Sequence, residues 1–373
     1  FLNAQQEKLG AVEKILVIPD DKKGECHQLK TQQKCKNAQN YHRQPYFFPY
    51  KKHMIQIYNE ILALGICIPY NRRMIYELRT RCIDTIRKNS SPMVPVPTGL
   101  NYKNNLKTRV RACIFDVYGT LFISGSGDIG TVQVSPESDH FQASFNAAGF
   151  HISQPGFGEF AEKQFYAGIR RRHSKLRSEG IDYPEIDIID IWSELCEHAA
   201  EQGYLEEGYS RDMLPILAVE IETRVNPVWT MGKIVTLMHR LRENHIITGI
   251  ISNAQFYTPL LFPALLHKSS LELGFRDDLC IYSYQYGRAK PSPQLFELLL
   301  KQLHEQFGIQ PQETVYIGND MLNDISTASK AGLQTCLFAG DRRSLRLRED
   351  NPCCKNLVPD AMLVSIDQVF SLL

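Results

Sequence analysis

The chain has 373 residues, 22% charged and 43% hydrophobic, with a formal net charge of +1. This balance suits two compact domains and an extension, and excludes a chain disordered from end to end. No apolar run approaches the roughly 18–20 residues that cross a bilayer.

The charge is divided unevenly. Residues 1–110 carry 19 Lys and Arg against 8 Asp and Glu, whereas the remainder carries 23 against 33. A solvated basic extension on an acidic body is preferred to an arm that touches nucleic acid or an anionic surface. The first twenty residues mix Glu, Lys and Asp, so no secretory leader and a cytoplasmic location are expected. The ten cysteines are scattered, which suits a reducing compartment better than a disulfide framework. Cys26, His27 and Cys35 hint at metal spacing, but no second pair completes a zinc site.

In chain order, residues 1–50 are polar, rich in Gln, Lys and Asn, and expected to be disordered. Residues 53–88 are expected to be helical. Within them Met74, Ile75, Leu78, Cys82, Ile83 and Ile86 share one face of a helix over 72–88. Pro92, Pro95 and Pro97 mark a linker over 90–105. A buried strand over 111–115 ends in Asp116-Val117-Tyr118-Gly119-Thr120. The pattern then turns helical over 137–148, 158–178, 185–202 and 206–225. A strand-helix rhythm follows: helix 231–243, strand 245–251, helix 294–306, strand 314–317, helix 324–331, strand 333–338, and a last helix ending at Leu373. Such alternation predicts a parallel sheet covered on both faces, with the all-helical stretch inserted into it.

Four segments carry chemistry. Asp116 ends a core strand, where open α/β sheets place their ligands. Its carboxylate can take up a transferred group covalently. Ser252 and Asn253 end the strand Ile250-Ile251, offering a hydroxyl and exposed backbone N–H groups to an anion. Lys290, in Gly287-Arg288-Ala289-Lys290-Pro291-Ser292-Pro293, sits before a helix with Ser292 as expected N-cap, and can neutralise developing charge. Asp320 and Asp324 follow Gly318-Asn319 after another strand, with oxygens suited to a hard cation.

Together these segments resemble, in order, the four motifs of the haloacid dehalogenase-like (HAD) hydrolase superfamily. The resemblance runs from about Arg111 to the C-terminus. It implies a Rossmann-like α/β core over 109–134 and 226–373, with a C1-type helical cap over 135–225. The partly helical extension 1–108 lies outside it. It also implies Asp116 as nucleophile, Ser252, Asn253 and Lys290 as phosphate contacts, and a Mg2+ held by Asp116, the Tyr118 carbonyl, Asp320 and Asp324. Cap residues Arg171, His173 and Lys175 are candidates for substrate contact.

One departure matters. Family phosphatases usually place a second aspartate, the general acid and base, where this chain has Tyr118. With an ordinary pKa of about 10, tyrosine is a poor base at neutral pH. The 2-haloacid dehalogenase branch, which displaces halide without metal, also has tyrosine at this place. The reading favoured is a Mg2+-dependent phosphatase of a small phosphorylated metabolite, because three converging carboxylates would repel without a cation. The alternatives are a metal-free dehalogenase and a non-catalytic binding protein of the same fold.

Overall fold

A computed structural model describes residues 68–125, 138–206 and 208–373. The disorder expected for residues 1–50 and the first helix expected after residue 53 lie outside the described residues. Helix α1 (Ile68–Asn89) is followed by strands β1 (Lys103–Asn104), β2 (Ala112–Phe115) and β3 (Phe122–Ser124). Helices α2 (Ser138–Ala148), α3 (Phe157–Ser178), α4 (Ile188–Glu201) and α5 (Met213–Val225) come next. Then follow β4 (Val228–Thr230), α6 (Ile234–Glu243), β5 (Ile247–Ser252), β6 (Cys280–Tyr282), α7 (Gln294–Phe307), β7 (Thr314–Gly318), β8 (Gln334–Phe338) and β9 (Ala361–Leu363).

Seven strands form one sheet in the order β1-β9-β8-β7-β2-β5-β6, parallel except for β1 at the edge. The central strands β2, β7 and β8 are buried at every residue, which is why they read as unbroken apolar runs rather than alternating ones. Strands β3 and β4 pair separately as an antiparallel ribbon at the entry to and exit from the helical insertion. Ser124 Oγ to Asn226 Oδ1 (2.8 Å) and Gly125 N to Pro227 O (2.8 Å) fasten its open end.

Several expected boundaries move. Helix α4 begins at Ile188, capped by Asp187 through Ile189 N, and not at residue 185. The preceding residues pair instead with the Lys290 loop, Glu185 N bonding Gly287 O and Ala289 N bonding Tyr183 O. Helix α5 starts at Met213 rather than 206, with Gly208 at positive φ before it. The expected helix over 324–331 is a π-turn, Met321–Ser326, followed by a short α-helix, Thr327–Lys330. The closing segment Ile366–Leu372 is a 3-10 helix. The linker ends in β1, which pairs with β9.

Helix α1 buries Cys82, Ile83 and Ile86, while Met74 and Ile75 on the expected apolar face are exposed. It packs on α5 and on the short helix Leu261–Leu265. Asn89 Nδ2 donates to Glu220 Oε2 (2.7 Å) and Thr223 Oγ1 (2.9 Å) on α5. Arg87 donates to the carbonyls of Pro263 (2.8 Å) and Ala264 (3.1 Å). Beyond the helix, Arg343 Nη2 reaches Val94 O (2.6 Å) and Thr98 Oγ1 reaches Ala339 O (2.8 Å).

Candidate active site

Parallel register gathers the site. Phe115 pairs with Ile250 on one side and Ile317 on the other, so Asp116, Ser252-Asn253 and Asn319 leave the sheet along one edge. Glycines permit the close approach. Gly119 has φ 82°, and a Cβ there would lie 2.6 Å from Asn319 Nδ2. A Cβ on Gly318 would overlap the Asp324 carboxyl.

Lys290 is the hub. Its buried Nζ donates to Asp116 Oδ1 at 2.7 Å and Asp324 Oδ1 at 2.6 Å, with Tyr316 Oη at 3.0 Å and Ile251 O at 3.3 Å. Burial alone would lower the lysine's pKa, but the two carboxylates outweigh it and raise it, so the ammonium stays charged. Burial lifts Asp324 above the usual carboxylate range despite Lys290. Asn253 lines the cavity and braces the lysine. Its amide accepts from Lys290 N (2.6 Å) and donates to Lys290 O (3.1 Å), fixing the loop. Ser252 is fully buried and donates to Asn253 O (3.3 Å); it does not line the cavity above Asp116. Ser292 is not the cap of α7; Pro293 holds that place.

The four residues expected to hold a metal, Asp116, Tyr118, Asp320 and Asp324, all line one cavity, with their carboxylates engaged by protein groups. Asp320 accepts from Leu322 N (2.8 Å), Asn323 N (3.0 Å) and Asn323 Nδ2 (3.2 Å), and pairs with Arg348 Nη2 at 2.6 Å. Asp324 Oδ2 accepts from Asp320 N (2.9 Å). Lys290 and Arg348 thus set two cations against the three carboxylates. Among the described residues no three His, Cys, Asp or Glu side chains are grouped to hold a metal. As they stand, these donors do not fit the oxygen cage magnesium requires. Asn319 acts as a brace, accepting from Thr120 Oγ1 (3.1 Å) and donating to Ser344 O (2.6 Å).

Above Asp116 lies a cavity of about 530 Å3. Phe141, Phe165, Trp192 and Ile221 supply apolar wall, with Phe165 stacked on Trp192 at 4.4 Å between centroids. Of the expected cap contacts only His173 lines it, together with the neighbouring Arg170. Arg171 pairs with Glu194 at 3.0 Å and Lys175 is exposed. Tyr118 turns aside, its hydroxyl 3.0 Å from Thr258 Oγ1, and burial pushes its pKa up.

Sequence reasoning missed Glu185, Glu222, Gln255 and Tyr257, all in the wall. Glu185 accepts from Ser283 Oγ (2.7 Å), Ile186 N (3.1 Å) and Gln255 Nε2 (3.1 Å), and burial raises it to about 7. Glu222 accepts from Tyr257 Oη (2.9 Å) and Asn226 Nδ2 (3.0 Å). The available signal was two acids inside otherwise apolar helix or loop patterns, which also describes many solvated faces.

A strand-end aspartate joined to a lysine beneath a helical insertion defines a hydrolase of the HAD type. The family model for haloacid dehalogenase-like hydrolases matches residues 110–332, and the chain belongs to that family. It is similar to an uncharacterised hydrolase of Schizosaccharomyces pombe, 24% identical over 180 residues, or 48% of this chain and 68% of that protein. A 2-haloacid dehalogenase from Pseudomonas syringae pv. tomato matches 70% of this chain and 97% of its own, at 16% identity and a TM-score of 0.43. A predicted phosphoglycolate phosphatase from Haemophilus somnus 129pt matches 71% and 98%, at 14% identity and a TM-score of 0.38. No helix among the described residues is long and apolar enough to cross a membrane.

Proposed function

We propose that the chain hydrolyses a phosphoric monoester through covalent catalysis on Asp116. The observation that carries this reading is the Asp116–Lys290–Asp324 triad at the floor of a 530 Å3 cavity. That volume lies in the range of small-molecule sites. A two- or three-carbon haloacid would leave most of it unfilled, whereas an organic phosphate would engage both floor and wall.

In this reading Asp116 attacks phosphorus in line, and the bond to the leaving oxygen breaks. Water then cleaves the aspartyl-phosphate. Lys290 stays charged throughout, offsetting the repulsion between carboxylate and phosphoryl oxygens. Asn253 holds the Lys290 backbone, and the cap wall excludes water from the reacting atoms. No step is routed through a metal.

A second reading has its own observation. Tyr118 replaces the usual acid, and Arg348 and Lys290 occupy the carboxylates a metal would need. Both features suit halide displacement by Asp116. The deciding experiment is a panel of aryl phosphates, alkyl phosphates and 2-chloropropionate, with and without Mg2+, using Asp116→Asn as blank. Phosphate release abolished by Asp116→Asn supports the first reading. Halide release without metal replaces it with the second.

A further inference from the structure

The phosphoryl-transfer reading leaves one role unfilled. The departing oxygen needs a proton, and the attacking water must lose one. Tyr118, two residues after the nucleophile, directs its hydroxyl to Thr258. Its raised pKa makes it a poor base.

Three carboxyls besides the floor pair can be compared. Asp320 is held by Arg348 and two backbone N–H groups. Glu185 is fixed by three donors from the core and its own loop. Glu222 stands on α5 in the wall of the same cavity and has the fewest donors of the three, Tyr257 and Asn226, both neutral. Each oxygen keeps acceptor capacity, because a carboxylate offers about four lone-pair sites. The Glu222 donor Tyr257 lines the same cavity and follows the end of β5, the strand paired with β2.

We propose that Glu222 is the general acid and base of the reaction, supplied from the cap in place of the residue at position 118. The inference rests on the phosphoryl-transfer reading. In the first step the Asp116 oxygen–phosphorus bond forms and the bond to the leaving oxygen breaks. The Glu222 carboxyl proton passes to that oxygen, giving a neutral alcohol and a Glu222 carboxylate. In the second step water attacks phosphorus and Glu222 takes its proton. The Asp116–phosphorus bond breaks, releasing phosphate and restoring both side chains. Desolvation in the wall raises the Glu222 pKa.

The test is the dependence of kcat/KM on leaving group, measured with p-nitrophenyl, phenyl and alkyl phosphates. Glu222→Gln is expected to lower alkyl phosphate turnover by roughly 10²–10³-fold. The loss for p-nitrophenyl phosphate, whose leaving group needs no proton, should be at least tenfold smaller. Glu222→Ala provides a second measurement, because added formate should restore part of the alkyl phosphate activity. An equal loss across all three substrates, or no loss, overturns the proposal, as does the absence of rescue. The two readings separate cleanly. If the wild type releases phosphate and Asp116→Asn does not, the phosphatase reading stands whatever Glu222 does. If the wild type cleaves no phosphoester, both fall together.

Discussion

The floor and the wall of the cavity are built on opposite rules. On the floor each carboxylate touches a cation: Lys290 lies between Asp116 and Asp324, and Arg348 covers Asp320. In the wall Glu185 and Glu222 are half-buried and met only by neutral donors. The floor is thus cross-linked by ion pairs, while the wall holds carboxyls with no cationic hydrogen-bond partner. A hydrolase needs both, and here the core supplies the first and the cap most of the second.

The largest expected effect comes from breaking the floor. Lys290→Met should lower kcat by on the order of 10²–10³-fold. It should also cost about 3–5 kcal/mol of stability, since two buried carboxylates lose their cation. Denaturant melts beside the assay would check both; a fully active variant would remove Lys290 from the chemistry. Next, Tyr118→Asp puts a carboxyl beside the nucleophile. In a Glu222→Gln background it should restore alkyl phosphate turnover by about tenfold or more, within the range of positioned acid catalysis. In the wild-type background the gain should be smaller, because the wall already supplies the acid.

A third variant sharpens the contrast by freeing a floor carboxylate. Arg348→Ala should tighten Mg2+ binding by about tenfold, or 1.4 kcal/mol, in titration calorimetry. Unchanged binding would mean that Asp320 does not face a metal. The smallest effect belongs to Glu185. Its folded pKa, about 7, lies above the ordinary carboxyl value, so the fold favours the protonated form. The stability this contributes is fully present below the ordinary value and is lost as pH rises through about 7. Glu185→Gln should therefore flatten the dependence of Tm on pH over that window, raising Tm by a few degrees on the alkaline side of it. A parallel pH dependence in both proteins would assign the slope to other groups.

Asp116 and Asp324 were legible because they follow the apolar strands β2 and β7, which a parallel sheet sets side by side, whereas Lys290 was read from its place before a helix. The counter-ion of Asp320 was hidden, because two acids spaced four apart carry no mark of their partners. Arg348 lies 28 positions beyond Asp320, in a loop without periodicity. The wall was nearly illegible. Arg170 and His173 line it while Arg171 does not, a difference of helix rotation that a basic run conceals. Glu222 was hidden in the same way, among Glu220, Thr223 and Arg224 at the C-terminal end of α5. The ribbon of β3 and β4 escaped notice because its strands, three residues each, are separated by the whole cap.

The segment before the family match ties together parts that the match alone would divide. Residues 87 and 89 join cap helix α5 to the core, and residues 94–98 hold the 339–343 loop, which leads on to Ser344 and Arg348. Pulling on this strand of chain would therefore disturb the helix that carries Glu222 and the loop that carries Arg348 to Asp320 at the same time. The unit that must stay whole for the site to work is longer than the unit that resembles its relatives.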